Sequence, residues 1–242
     1  MTSFKRKDIM KIRVHTAYFL ALAIFFTSCE KDNYVAPKSV LSGKIVYKGE
    51  SIGVENDQVR LQLWQPGFGK LAAIDAPVSQ DGSYSAMLFD GSYKLVVPKG
   101  RGPFKTVEKD ATSKDTLFVK LTGSQTLDVE VLPYYMIRNT QLSGGESKVS
   151  ATLKLEKIIT DVNAKDIERV SLYVNKTQLV SRATNVSVAD LAGADVKDLN
   201  NVSLTATIPT LVPTQTYVFA RVGVKIKDVE DMVFSPVQKV NL

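Results

Sequence analysis

The sequence predicts an all-β protein made of two consecutive β-sandwich domains. Short apolar segments alternate with polar residues in a period of two, as in Val59, Leu61 and Leu63 and the residues between them. Turn signals such as Asp81-Gly82 and Asp90-Gly91 separate these segments at regular intervals. Short strands at this spacing favour sandwiches, because parallel sheets need long crossover connections between their strands.

Residues 1–28 have the composition of a lipoprotein signal peptide. Five basic residues and one acidic residue precede the apolar run from Ala17 to Phe26. As a helix this run reaches roughly 15 Å, about half of a bilayer core. The small residues Thr27 and Ser28 precede Cys29, the only cysteine of the chain. A lipoprotein signal peptidase cuts before a cysteine that carries a diacylglycerol, so we predict that Cys29 is lipidated.

Two alternatives stay open in this leader. Phe26 stands three positions before Cys29, where the usual lipobox has leucine, so ordinary secretion with an unmodified thiol is the competing interpretation. The start could be Met1 or Met10, since a complete signal also follows the second methionine. Behind the cleavage site, residues 29–38 are polar and contain proline, which is typical of a tether between lipid and domain.

Removing the leader changes the charge and the available chemistry. The formal charge of +6 falls to about +2, with 26 basic against 24 acidic residues, which argues against nucleic-acid binding. His15, the only histidine, is lost as well. Without imidazole or a free thiol, the mature chain cannot carry a Ser-His-Asp or Cys-His nucleophile or a usual zinc site. We predict a non-enzyme with no metal and no cofactor.

The first domain, residues 39–132, carries a recognisable pattern. The segment from Leu41 to Phe104, with its DG-S-Y and F-DG-S-Y repeats, resembles the N-terminal domain of a Bacteroidetes lipoprotein family, domain of unknown function 3823. The resemblance continues through Val129 to Arg138 and covers essentially the whole mature chain. It implies a prealbumin-like sandwich of the transthyretin or carboxypeptidase-regulatory type.

The second domain, residues 133–242, has a signature of its own. Leu211, Pro213 and Tyr217 reproduce the spacing of a fibronectin type III tyrosine corner, in which the tyrosine ring packs in the core. We therefore predict an immunoglobulin or fibronectin type III-like β-sandwich, with Tyr217 as a structural residue. Residues 188–199 predict a short helix.

The resemblance also implies a location and partners. Glu30, Lys31 and Asp32 behind Cys29 look like the signal that exports lipoproteins of these bacteria to the outer face of the outer membrane. Genes of the family typically lie beside outer-membrane glycan importers of the starch-utilisation type. A lipid-anchored protein facing the cell exterior is therefore expected, with glycan and neighbouring import proteins as partners. The family offers no catalytic residues to transfer.

The carboxylates of the body give little support to a hydrolase. A glycosidase needs two facing carboxyl groups, about 5 to 9 Å apart. Five aspartates of the body all occupy contexts typical of turns or loops, where an aspartate side chain hydrogen-bonds to the nearby backbone. They are Asp75, Asp81, Asp90, Asp110 and Asp115.

Aromatic residues are better candidates, because the C–H face of a sugar stacks on an aromatic ring. Trp64 alternates out of phase with the apolar residues of its strand and adjoins the turn that holds Phe68, so this pair is the candidate glycan platform. The alternative is that Trp64 covers a sheet face or the domain interface. Tyr134 and Tyr135 lie at the domain junction, which favours packing between the domains. Phe104 could either border a binding site at the loop end of the first sandwich or close that end with its ring.

Three functions remain in contention. The first is a non-catalytic surface lipoprotein that serves an outer-membrane glycan capture or import system, by glycan binding or by scaffolding. The second is a structural or adhesive module without a small-molecule ligand. The third and weakest is a glycoside hydrolase that uses carboxylates alone.

Overall fold

The protein is described by a computed structural model that covers residues 35–67, 69–107 and 116–242. The leader, Cys29, Phe68, Asp110 and Asp115 lie outside the described residues. Within these ranges, no helix is long and apolar enough to cross a membrane. Nearly all regular structure is β-strand, which confirms the predicted fold class.

In the part of the first sandwich that the structure describes, there are ten strands. They are β1 (Ser39–Tyr47), β2 (Glu50–Ser51), β3 (Arg60–Trp64), β4 (Ala73–Pro77), β5 (Ser83–Leu88), β6 (Gly91–Val96), β7 (Phe104–Thr106), β8 (Thr116–Leu121), β9 (Gln125–Thr126) and β10 (Val129–Pro133). Strand β1 pairs antiparallel with β5 and β2 and parallel with β9 and β10, and β7 adds to β10. The facing sheet has the antiparallel order β4-β3-β6-β8.

The core of this sandwich follows from the period-two alternation. Leu61 and Leu63 on β3, Leu95 on β6 and Leu121 on β8 are all fully buried between the sheets. Gly43 on β1 lies against the backbone of the segment that connects β9 to β10, where no side chain fits. A Cβ atom at this glycine would lie 1.9 Å from the carbonyl oxygen of residue 127, a distance that no side chain tolerates.

Eight strands form the second sandwich. They are β11 (Tyr135–Gly145), β12 (Lys148–Lys157), β13 (Ile167–Asn175), β14 (Ser187–Ala192), β15 (Val202–Thr207), β16 (Tyr217–Ile226), β17 (Val233–Phe234) and β18 (Gln238–Asn241). The order β11-β12-β15 makes a three-stranded sheet. The facing sheet has the order β14-β13-β16-β17, with β18 also paired to β16. All pairs are antiparallel, as in fibronectin type III-like sandwiches.

Two local predictions in this sandwich are wrong. The helix predicted over residues 188–199 is instead strand β14 followed by a single 3₁₀ turn, Gly193–Asp195, because pairing with β13 overrides helix propensity. Tyr217 does not pack in the core. The next residue, Val218, faces inward, and Tyr217 lies half-buried on the outer face, where its ring contacts Phe219 and the Lys239 ammonium lies 3.9 Å from the ring centroid.

The two sandwiches contact each other through buried hydrogen bonds. The Gly102 N–H donates to the Asp231 carboxylate at 2.7 Å, and the Phe234 N–H donates to the Gly53 carbonyl at 2.9 Å. Arg221 is 1% exposed and donates through its guanidinium to the carbonyls of Val54 and Val180. Residues 37–242 accordingly form one compact unit.

Candidate functional site

The outer face of the β4-β3-β6-β8 sheet carries a row of large side chains. Strand register places Trp64 on β3 opposite Lys94 on β6, and Lys94 opposite Phe118 on β8. Trp64 is half-buried, whereas Phe118 is 72% exposed. Because Trp64 and Phe118 are separated by two strand spacings, their backbones lie about 9–10 Å apart. We call Trp64, Lys94 and Phe118 the aromatic row.

Alternation along the strands explains why this row faces outward. On β3, Leu61 and Leu63 enter the core, so Trp64 must lie on the opposite face. On β8, Val119 and the last leucine of the strand are buried, so Phe118 must point outward in the same way. Lys94 lies between these two residues in the strand register, and its ammonium is 5.9 Å from the centroid of the Phe118 ring.

A polar cleft adjoins the aromatic row on the same sheet face. Its cavity measures about 450 Å³. The lining residues come from the β3 and β4 strands and from two loops: Asp57, Gln58, Arg60, Gln62, Asp75, Pro98 and Arg101. Gln62 is the next outward residue before Trp64 on β3, so the cleft and the aromatic row are continuous along that strand.

Ion pairs link the charged groups of the cleft. Arg60 contacts Asp57 at 3.1 Å and Asp75 at 3.7 Å. Arg101 contacts Glu230 of the second sandwich at 3.1 Å. Guanidinium, carboxylate and amide groups of this kind can donate to and accept from the hydroxyl groups of a bound ligand.

The structure revises the roles expected of the aspartates. Asp75 is not a turn residue, since it lies on β4 opposite Gln62, with its side chain on the outer face. Asp81 and Asp90 do serve turns. Hydrogen bonds from Ser83 hold the pKa of Asp81 below its usual value, and hydrogen bonds from Ser39 and Gly123 do the same for the Asp90 carboxyl.

The remaining aromatic candidates are structural. Phe104 is 6% exposed and closes the end of the first sandwich, where it pairs with Pro133. Tyr134 and Tyr135 are buried at the junction, and the Tyr135 hydroxyl donates to the Lys165 carbonyl at 3.0 Å. Among the described residues, no group of three or more His, Cys, Asp or Glu side chains could hold a metal ion.

The sequence predicted the outward direction of Trp64 and did not single out Phe118. The signal was available, because TLFVKL alternates and Leu117, Val119 and Leu121 fix the inward phase. What the sequence could not supply is the register that brings Phe118 across Lys94 to Trp64. Phe68, the other predicted platform residue, lies outside the part of the chain that the structure describes.

Two models of known protein families match nearly all of the chain behind residue 38. The model of the N-terminal domain of the DUF3823 proteins of unknown function matches residues 39–132. The model of the DUF3823 C-terminal domain, also of unknown function, matches residues 135–239. The chain belongs to the DUF3823 family. This membership confirms the resemblance found in the sequence.

Solved DUF3823 structures share this fold. A family protein from Parabacteroides merdae is 33% identical, with a TM-score of 0.74 over 86% of this chain and 100% of that one. One from Bacteroides ovatus is 30% identical, with a TM-score of 0.73 over 85% of this chain and 100% of that one. No curated protein is significantly similar to the chain.

A more distant structure shares the fold only. It comes from Bacteroides uniformis, is named provisionally as a carbohydrate binding protein, and is 15% identical to this DUF3823 protein. Its TM-score is 0.64 over 85% of this chain and 100% of that one.

Proposed function

We propose that this DUF3823 protein is a non-catalytic glycan-binding lipoprotein of the outer membrane that serves a glycan capture or import system. The aromatic row is the observation that carries the proposal. An exposed phenylalanine and a half-buried tryptophan share one sheet face and adjoin a polar cleft. Exposed apolar side chains that share one face, unlike those scattered singly, favour an interaction site.

The chemistry of the face suits a carbohydrate. The rings of Trp64 and Phe118 offer apolar surfaces for the C–H faces of two sugar residues, and the charged cleft offers hydrogen-bond partners for hydroxyl groups. The name given to the distant relative from Bacteroides uniformis points in the same direction. Nucleic acid is not a proposed partner.

Affinity electrophoresis on a panel of polysaccharides tests the platform. We expect the mature protein to be retarded by at least one polysaccharide, and Trp64→Ala and Phe118→Ala each to weaken that binding about tenfold, as loss of a stacking surface predicts. Met87→Ala is the control, since Met87 is 64% exposed but lies on β5 of the opposite sheet. Retardation by no polysaccharide would leave the scaffolding or adhesive function instead.

The membrane anchor is a separate part of the proposal and depends on Cys29. Two hydrocarbon chains or more would hold the protein at a membrane, since a single chain binds only marginally. We expect Cys29→Ser to release the protein from membrane fractions of the producing cells, and Ser28→Ala to leave it bound. Retention of the Cys29→Ser variant in the membrane fraction would overturn lipidation at this position.

A further inference from the structure

The charge of the aromatic row points to a class of glycan. Lys94 lies between Trp64 and Phe118, and it makes no ion pair within the described ranges. Lys120 follows on the same outward face of β8, opposite Ser92 of β6. Two ammonium groups therefore border the aromatic surface on neighbouring strands.

The acidic groups of the same face do not offset these lysines. Asp57 and Asp75 both contact the Arg60 guanidinium, at 3.1 and 3.7 Å, so their charges are already partly neutralised. The β6 and β8 strands expose no carboxylate of their own. Within the described residues of β6 and β8, the outward side chains therefore include two ammonium groups and no carboxylate, while the charges of the cleft are balanced.

A glycan that stacks on both rings must pass over Lys94. The lysine ammonium lies on a flexible four-carbon stem, so it can meet an anionic substituent on any edge of the chain. A neutral glycan would offer this ammonium only hydroxyl oxygens as acceptors, and these compensate its lost hydration less well than an anion does. An acidic glycan would supply that partner.

We infer that the aromatic row selects acidic polysaccharides, which carry carboxylate or sulfate groups, over neutral ones. This inference rests on the proposed function, because it names the ligand class of the same site. The rings supply the stacking that any glycan receives, and Lys94 supplies the preference for charge.

Calorimetric titration with two matched pairs of polysaccharides tests the inference. Polygalacturonate and its fully methyl-esterified form differ only in carboxylate, and dextran sulfate and dextran differ only in sulfate. We expect the acidic member of at least one pair to bind at least about threefold more tightly than its neutral counterpart. This preference should fall at high salt, because salt screens the ammonium charge. The pair that shows the preference identifies the anionic group.

Lys94→Gln is the decisive variant. We expect it to remove most of the preference for the acidic member while Trp64→Ala weakens both members alike. Lys44→Gln is the control, because Lys44 is an exposed lysine on β1 of the opposite sheet and changes the net charge equally.

The outcomes separate this inference from the proposed function. Equal binding of acidic and neutral members that Trp64→Ala abolishes would overturn the inference and leave the glycan platform intact. A preference lost equally in Lys94→Gln and Lys44→Gln would also overturn it, because the effect would then come from net charge. Binding to none of the four would overturn the inference, and the polysaccharide panel would then decide the proposed function.

Discussion

At the scale of single residues, Tyr84 shows how one buried polar group joins a strand to a distant connecting segment. Its side chain is 3% exposed, and its hydroxyl donates to the Leu127 carbonyl at 2.6 Å. The contact ties β5 to the chain between β9 and β10. Burial raises the pKa of Tyr84 well above its ordinary value of 10.0, and the nearby Asp128 charge raises it further.

The raised pKa predicts an alkaline limit to stability. Below pH 10 the tyrosine is neutral in both states, so its stabilising contribution is complete there. Above pH 10 the unfolded chain releases this proton while the folded protein keeps it, so stability falls as pH rises.

The variant Tyr84→Phe tests this role. We expect a loss of about 1–3 kcal/mol in the free energy of unfolding at neutral pH, because the Leu127 carbonyl loses its donor. Between pH 9 and about 11 the variant should lose less stability than the natural protein. Urea unfolding across this range measures both effects, with the half-buried Tyr47→Phe as control. An unchanged alkaline slope would contradict the assignment to Tyr84.

At the scale of elements, the candidate site depends on two features: the alternation of residues along each strand and the pairing between strands. The two faces of β3 were readable from the sequence, because leucines at every second position fix the inward side. The partners of β3 were not readable, since β3 pairs with β6 about thirty residues later in the chain, and β6 pairs in turn with β8, more than fifty residues after β3. Trp64 could therefore be identified alone, but the row with Lys94 and Phe118 could not.

Two errors of element assignment have the same origin. Residues 188–199 contain alanine, leucine and aspartate in a helix-like pattern. Nearly half of this segment nevertheless belongs to strand β14, which pairs with β13. Tyr217 has the sequence spacing of a corner tyrosine, yet β16 begins in the phase that turns Val218 inward. In both cases tertiary pairing decided what local pattern left open.

At the scale of the whole molecule, a buried cation joins the two sandwiches. The Arg221 guanidinium lies 3.8 Å from the ring centroid of Phe234 and donates to Val54 at 3.1 Å and to Gln80 at 3.4 Å. Burial lowers its pKa to about 10, so it stays charged at neutral pH. Carbonyl groups of the first sandwich therefore solvate a charge that belongs to the second.

This contact predicts that both sandwiches unfold together. Trp64, the only tryptophan, reports the first sandwich by fluorescence, and far-ultraviolet circular dichroism reports both. The two signals should give one coincident transition in the natural protein. Arg221→Met should lose about 2–4 kcal/mol and separate the two transitions, because it leaves buried carbonyls without donors.

The control for this experiment is Arg182→Met. Arg182 belongs to the second sandwich, is half-exposed and pairs with Asp190 at 2.8 Å, so its loss should change stability little. Coincident transitions in Arg221→Met with an unchanged midpoint would show that the interface does not depend on this arginine.

The sequence by itself determined the fold class, the family and the outward direction of Trp64, because period-two alternation, turn residues and local motifs act over a few neighbouring positions. Only the tertiary structure decided the register that places Phe118 beside Lys94, the position of Asp75 on a strand, and the burial of Arg221 between sandwiches. These features depend on contacts between distant segments, and their free energies come from the packing of whole sheets, which no local pattern encodes.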